Sequence, residues 1–213
     1  MKLIVQNLGL MAYDEAYQRQ ESILNAVQLG ADDHLLLLEH PKVITKGINA
    51  KAENVLYSDV LLSEMGFEVI QTRRGGDVTY HGPGQIVGYT IFNIKKNHGG
   101  SVKRFVFSLE QLFIDLLKNH YDIEARRDDI NSGVFIGDSK IVAIGLSVIK
   151  GVTMHGFAFN VNTHLDDYKT IVPCGLHTKG VTSLEVAAHR NIDIESVKKQ
   201  IETAFVKQFG YES

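Results

Sequence analysis

The stretch GVFIGDSKIVAIGLSVIKGVTMHGFAFNV, Gly133 to Val161, decides the fold class. Apolar, β-branched and aromatic residues run through it. Val134-Phe135-Ile136 leads into a Gly137-Asp138 turn, then come Lys140–Ile149 and Val152–Val161. A glycine-containing turn between such runs is a hairpin signal, so the block predicts antiparallel strands.

Outward from this block, helical and strand patterns alternate. On its N-terminal side, Met11–Leu29 carries Ala12, Ala16, Ile23 and Val27 on one helical face and ends at Gly30. His34–Glu39 is a short apolar run closed by Pro41 and predicts a buried strand. Asp59–Glu64 predicts a short helix stopped by Gly66, followed by the strand Phe67–Thr72, and Gln85–Ile94 predicts another strand. Ser101–Tyr121 is the clearest helix. Phe105, Leu109, Leu112, Phe113 and Leu116 step at three and four, and Ser101 is placed to cap the first turn. Ile123–Arg127 predicts a strand. Beyond the hairpin block, Ile194–Phe209 predicts a helix with Ile194, Val197, Ile201 and Phe205 inward and Gly210 at its end. Helices interleaved with strands, around an antiparallel block, predict an α/β (α+β) fold: a mixed β-sheet flanked by helices, as a single domain over 1–213.

Composition narrows the function classes. At 213 residues the chain is long enough to bury roughly 70% of its unfolded surface. A formal net charge of −3 gives no electrostatic footprint for nucleic acid, and the basic pairs Arg73-Arg74, Lys95-Lys96 and Arg126-Arg127 read as solvated. One cysteine makes no internal disulfide. No segment reaches the roughly 18 apolar residues of a membrane span, and the N-terminal run is broken by Gln6, Asn7 and Gly9. A cytoplasmic protein, acting on neither membrane nor nucleic acid, is the expectation.

RRGGDVTYHGPGQ, Arg73 to Gln85, gathers paired glycines, a Tyr-His pair and a Gly-Pro-Gly. Glycine lets backbone approach a ligand without a Cβ in the way. No Gly-Lys-Ser/Thr follows, and a strand rather than a helix comes next, so this is neither a P-loop nor a dinucleotide fingerprint. It reads as a binding loop. None of the nine histidines stands at zinc-ligand spacing, so no metal is expected. His81 and His155 lie beside glycines and are placed to face a shared cleft, or to be ordinary structural histidines. Cys174 sits on a turn-like stretch, TIVPCGLHTKG, Thr170 to Gly180, where a buried structural thiol is the plain alternative. Lys140 follows a tight turn, as many exposed lysines do. Were the two to meet, the amine would deprotonate the thiol and its ammonium would stabilise the thiolate.

Four blocks together resemble the lipoyl(octanoyl) transferases: RGGDVTYHGPGQ (Arg74–Gln85), KIVAIGLSV (Lys140–Val148), HGFAFNVN (His155–Asn162) and IVPCGLHTKGVTSL (Ile171–Leu184). They come in that family's order and at its spacing. The resemblance implies a fold similar to the biotin and lipoate protein ligase catalytic domain. It implies that Cys174 accepts the acyl group and that Lys140 is its partner. It also implies an acyl pocket formed by Arg74, Gly75, Gly76, Asp77, Val78, Thr79, Tyr80, His81, Ala143, Ile144, Gly145, Gly156, Phe157 and Ala158. The implied donor is octanoyl-acyl carrier protein. The implied acceptors are lysines on lipoyl domains of 2-oxoacid dehydrogenase complexes and on the glycine cleavage H protein, with no cofactor. The rival readings are an ATP-dependent lipoate or biotin ligase, whose activity would survive loss of Cys174, and a carrier-protein binding module that is never acylated.

Overall fold

The computed structural model describes residues 2–172 and 179–211. In chain order the elements are β1 (Leu3–Leu10), α1 (Tyr13–Gln28), β2 (Asp33–Glu39), β3 (Val43–Lys46), α2 (Asp59–Glu64), β4 (Glu68–Gln71), β5 (Val78–His81) and β6 (Gln85–Ile91). There follow α3 (Ile94–Asn97), α4 (Val102–Tyr121), β7 (Gly133–Ile136), β8 (Ser139–Ile149), β9 (Val152–Asn160), β10 (Gly180–Val181), α5 (Leu184–Ala188) and α6 (Ile194–Phe209). The helix ends follow local chemistry. Ser101 Oγ accepts the Arg104 N–H at the start of α4, and Asp193 accepts the Glu195 N–H at the start of α6.

The larger sheet runs β1-β2-β6-β9-β8-β10, with β7 also paired to β8. β1·β2 and β8·β10 are parallel and the other pairs antiparallel, so the sheet is mixed as expected. A second sheet of three short strands, β4-β3-β5, packs a separate apolar cluster that includes Ile44, Leu62, Val78, Tyr80 and Tyr168.

The two faces of the larger sheet are covered differently. On one, α4 and α6 bury Phe105, Phe113, Phe205 and Leu116 against Phe157 and Phe159, with the Phe113 and Phe157 rings 4.7 Å apart. On the other, α1 sets Ala16, Leu24 and Val27 against Leu36, Leu38, Val87 and Ala158. The pocket lies on this same face, bordered by Tyr13 at the start of α1 and by Val87 and Ala158 of the sheet.

Two sequence expectations are corrected, and one unassigned segment is placed. Ile123–Arg127 makes only an isolated bridge, Arg126 to Phe135, because the chain turns away on either side of it. The strand from Gln85 ends at Ile91, and Ile94 instead begins a helical turn capped by Asn93. The interrupted run Leu3–Leu10 is a strand, paired in parallel with β2. Among the described residues no helix is long and apolar enough to cross a membrane.

Candidate active site

The β8·β9 register sets small residues opposite one another: Ala143 faces Ala158 and Gly145 faces Gly156. This lane forms the floor of a pocket, and the glycine-rich loop at Arg74–Asp77 forms its roof. The Gly75 N–H donates to Leu146 O at 3.1 Å, drawing roof onto floor. A Cβ built on Gly145 would lie 3.3 Å from Gly75 O, a tight contact that a side chain could make only by displacing the roof a few tenths of an ångström. Gly76 holds φ +88°, a conformation side chains rarely adopt. Arg74 pins the roof in place. Its guanidinium donates to Thr45 O at 2.7 Å, to Thr45 Oγ1 and to Gly75 O, and it is 8% exposed. Roof and floor enclose about 540 Å³, mouth included, lined by Gly75, Gly76, Ala143, Ile144, Gly145, Gly156 and Ala158 among others.

β5 alternates through the predicted binding block. Thr79 and His81 line the pocket, whereas Val78 and Tyr80 turn into the cluster beneath the small sheet. There the Tyr80 hydroxyl donates to Asp167 at 2.8 Å. Asp77 acts on backbone and loop: its carboxylate accepts from the Lys51 and Val78 N–H groups and from Asn54 Nδ2. Phe157 borders the pocket while its ring packs against Phe113 in the core.

The pocket's polar wall consists of Tyr13, His81, Tyr89 and His155, with His40 packed behind. Gln85 organises it. Gln85 Nε2 donates to Tyr80 O, Asn160 Oδ1 and the Tyr168 hydroxyl, so its Oε1 accepts from His81 Nδ1 at 2.8 Å and leaves His81 Nε2 unprotonated. His40 Nδ1 donates to Met11 O, and its Nε2 accepts from the Tyr89 hydroxyl at 2.7 Å. Burial pushes the imidazoles down, His81 to about 3 and His40 and His155 to about 4, and the Arg74 charge adds to the effect at His81 and His155. These are neutral rings at pH 7. Burial pushes the Tyr13 hydroxyl up to about 12. His155 is held at φ +61° within β9, a conformation costing on the order of 1 kcal/mol for a residue with a side chain.

Lys140 is the second residue of β8, at the other end of the lane. It is 7% exposed, its Nζ donates to Ser132 O at 3.4 Å, and it stands 5.2 Å from the centroid of the Phe135 ring. Lys140 borders both the pocket and a wider outer cleft of about 1180 Å³, which Asp77, Val102, Ile130 and Leu146 also line. An amine at this junction is placed to act on a group whose tail lies inside and whose remainder lies outside. Cys174 falls in Pro173–Thr178, outside the described residues. On one side of that segment the Val172 N–H donates to Asn54 O at 2.9 Å, and on the other Gly180–Val181 pairs with Ser139–Lys140. Among the described residues no three His, Cys, Asp or Glu side chains are grouped to hold a metal.

Sequence reading missed Tyr13, His40, Val87 and Tyr89. Tyr13 opens a helix and Tyr89 lies in an apolar strand. Nothing local marks either, because their place at the site comes from which neighbours they meet.

The profile of the lipoyl protein ligase A/B catalytic domain matches residues 12–206. A protein of Caldicellulosiruptor saccharolyticus named octanoyltransferase is 50% identical over 212 residues, covering 99% of this chain and 90% of its own. A putative lipoate protein ligase from T. acidophilum with bound lipoic acid shares the fold, with TM-score 0.81 at 16% identity, covering all of this chain and 88% of that one. The biotin protein ligase of Aquifex aeolicus is a more distant likeness, at TM-score 0.55 and 11% identity over 99% of this chain and 69% of that one.

Proposed function

Because the chain belongs to the lipoyl protein ligase A/B catalytic-domain family, and within it to the octanoyltransferases, we propose that it carries an octanoyl group from acyl carrier protein to a lysine of a lipoyl domain by way of a thioester on Cys174. The observation that carries this reading is the 50% identity, over 99% of the chain, to a protein named octanoyltransferase. The buried Lys140 at the junction of pocket and outer cleft supports it.

In the first half-reaction the Lys140 amine takes the Cys174 proton. The thiolate attacks the donor's carbonyl carbon, a C–S bond to Cys174 forms, and the C–S bond to the carrier breaks. The carrier thiolate leaves with the proton held by Lys140. In the second, the acceptor lysine's neutral amine attacks the enzyme thioester and yields its proton to Lys140. An amide forms and Cys174 departs as a thiolate beside the ammonium. Thioester exchange is nearly isoenergetic and conversion to an amide is downhill, so no ATP is consumed. The acyl tail lies along the Ala143–Gly145 lane, where each buried methylene contributes about 0.8 kcal/mol. Lipoyl domains of 2-oxoacid dehydrogenase complexes and the glycine cleavage H protein are the proposed acceptors.

Intact mass after incubation with octanoyl-carrier protein, without ATP, tests this reading. Wild type gains one octanoyl group, removable by hydroxylamine, and Cys174→Ala gains none. Equal labelling of Cys174→Ala, or a requirement for ATP and free octanoate, overturns it.

A further inference from the structure

The turn between α4 and β7 is built on one carboxylate. Asp128 Oδ1 accepts from the Ile130 N–H at 3.3 Å and from the Asn131 N–H and Nδ2, each at 3.0 Å. Its Oδ2 accepts from Lys179 Nζ. The two side chains are 8% and 20% exposed, unlike the Lys118–Asp122 pair on α4, at 49% and 88%. The Lys179 ammonium, aided by the turn's N–H groups, holds the Asp128 carboxyl far below the usual carboxylate range.

Each partner continues directly into the site. The Asp128 turn ends at Ser132, whose carbonyl accepts from Lys140 Nζ. Next to it, the Gly133 N–H is tied to the buried Glu110 at 2.9 Å. Lys179 leads into β10, where the Gly180 N–H donates to Asp138 O and the Thr182 N–H to Lys140 O at 3.0 Å. Both amines approach the same ring, Lys179 Nζ at 5.0 Å and Lys140 Nζ at 5.2 Å from the Phe135 centroid. Lys179 is also five residues after Cys174 in the chain.

We propose that Asp128 and Lys179 are positioning residues, a latch that fastens the chain following Cys174 to the turn that holds Lys140. The proposal rests on the Cys174–Lys140 reading above. Five residues of extended chain span at most ~17 Å, so a tie at Lys179 bounds how far Cys174 can lie from the Asp128 turn, and a misplacement of about 1 Å at a reacting centre can cost 100-fold in rate. The latch anchors the chain on the C-terminal side of Cys174, as the Val172–Asn54 bond does two residues before it.

The test combines three variants with octanoyl transfer, the pH profile of Cys174 alkylation and thermal melting. Lys179→Met removes the amine that ties the following chain to Asp128, leaving Arg126 Nη1 at 3.8 Å from the same oxygen. Asp128→Asn removes the anion but keeps an acceptor for the turn's N–H groups. Lys179→Arg keeps the ion pair. The first two should lose roughly ten- to 100-fold in kcat with KM little changed. Their alkylation midpoint should rise toward the ~8.5 of a free thiol. Lys179→Arg should hold most of the wild-type rate. Wild-type rates and alkylation profiles in Lys179→Met and Asp128→Asn overturn the latch, as does a loss in Lys179→Arg equal to that in Lys179→Met. Should Asp128→Asn fail to fold, the two Lys179 variants decide alone. If wild type itself is never acylated on Cys174, the functional reading fails and the latch with it. If wild type is acylated and the variants match it, only the latch fails.

Discussion

His40, His81 and His155 give the pocket wall an electrostatic character that can be measured. Burial holds these imidazoles at about 4, 3 and 4 in the folded chain, against roughly 6.5 when unfolded. Between those values the unfolded chain binds more protons than the folded one, so stability falls as pH falls. Their contribution is intact above about pH 6.5 and is lost progressively from there toward pH 4. One pH unit costs about 1.4 kcal/mol per group, hence about 2 kcal/mol for each imidazole by pH 5. The melting temperature should therefore drop between pH 7.5 and pH 5. His40→Leu should melt lower than wild type at pH 7.5, because Met11 O loses a donor and the buried Tyr89 hydroxyl loses its acceptor, but should show a shallower pH slope. A slope equal to wild type would place the acid sensitivity outside this wall.

At the scale of elements, the β8 lane and the loop above it make a prediction of their own. A side chain at Gly145 would face Gly75 O and Arg74 Cδ, at 3.3 and 3.7 Å from its Cβ. Alanine there needs a shift of a few tenths of an ångström. The branched carbons of valine would enter the pocket itself. Gly145→Val should therefore keep its circular dichroism while losing octanoyl transfer or shifting toward shorter chains, at about 0.8 kcal/mol per excluded methylene. Unchanged octanoyl kinetics would move the tail elsewhere. Gly76→Val is a poorer probe, because φ +88° strains any side chain whatever the space.

These elements also show what a sequence discloses. α2 and α6 take the bounds that periodicity and caps predict, and α4 differs by its cap residue alone. Such elements are long or clearly punctuated, so local chemistry defines them. β3 and β5, of four residues each, exist through their pairing with each other across some 35 positions of chain. A period of two has no room to show in so short a run. The same strand explains why RGGDVTYHGPGQ divides as it does: the block was legible as a binding loop, but not that β5 sends Thr79 and His81 one way and Val78 and Tyr80 the other. Asp128 and Lys179 were invisible for a related reason. Acid and base 51 positions apart acquire meaning only when the fold sets them together.

Across the whole molecule, the larger sheet separates stability from chemistry. The pocket lies on the α1 side, while the far side carries the aromatic core of α4 and α6. The far side is closed by a polar bond between the start of β2 and the last described residue. Tyr211, just after α6, donates its hydroxyl to Asp33 Oδ2 at 2.7 Å. The other carboxylate oxygen accepts the Asn93 N–H, also at 2.7 Å. Asp33 is fully buried at the start of β2, and His98 Nε2 lies 3.1 Å from the Tyr211 hydroxyl. The Tyr211 ring also packs 5.7 Å from Phe92, at the centre of the aromatic cluster. Tyr211→Phe keeps that ring but takes a donor from a buried carboxylate, a loss of about 1–3 kcal/mol. In a chain of this size each kcal/mol shifts the midpoint by roughly 2–4 °C. The variant should melt lower by that amount while transferring octanoyl groups at the wild-type rate at 20 °C, the reverse of Gly145→Val. If instead Tyr211→Phe slows transfer at a temperature where its circular dichroism is native, the two faces of the sheet are coupled and the separation does not hold.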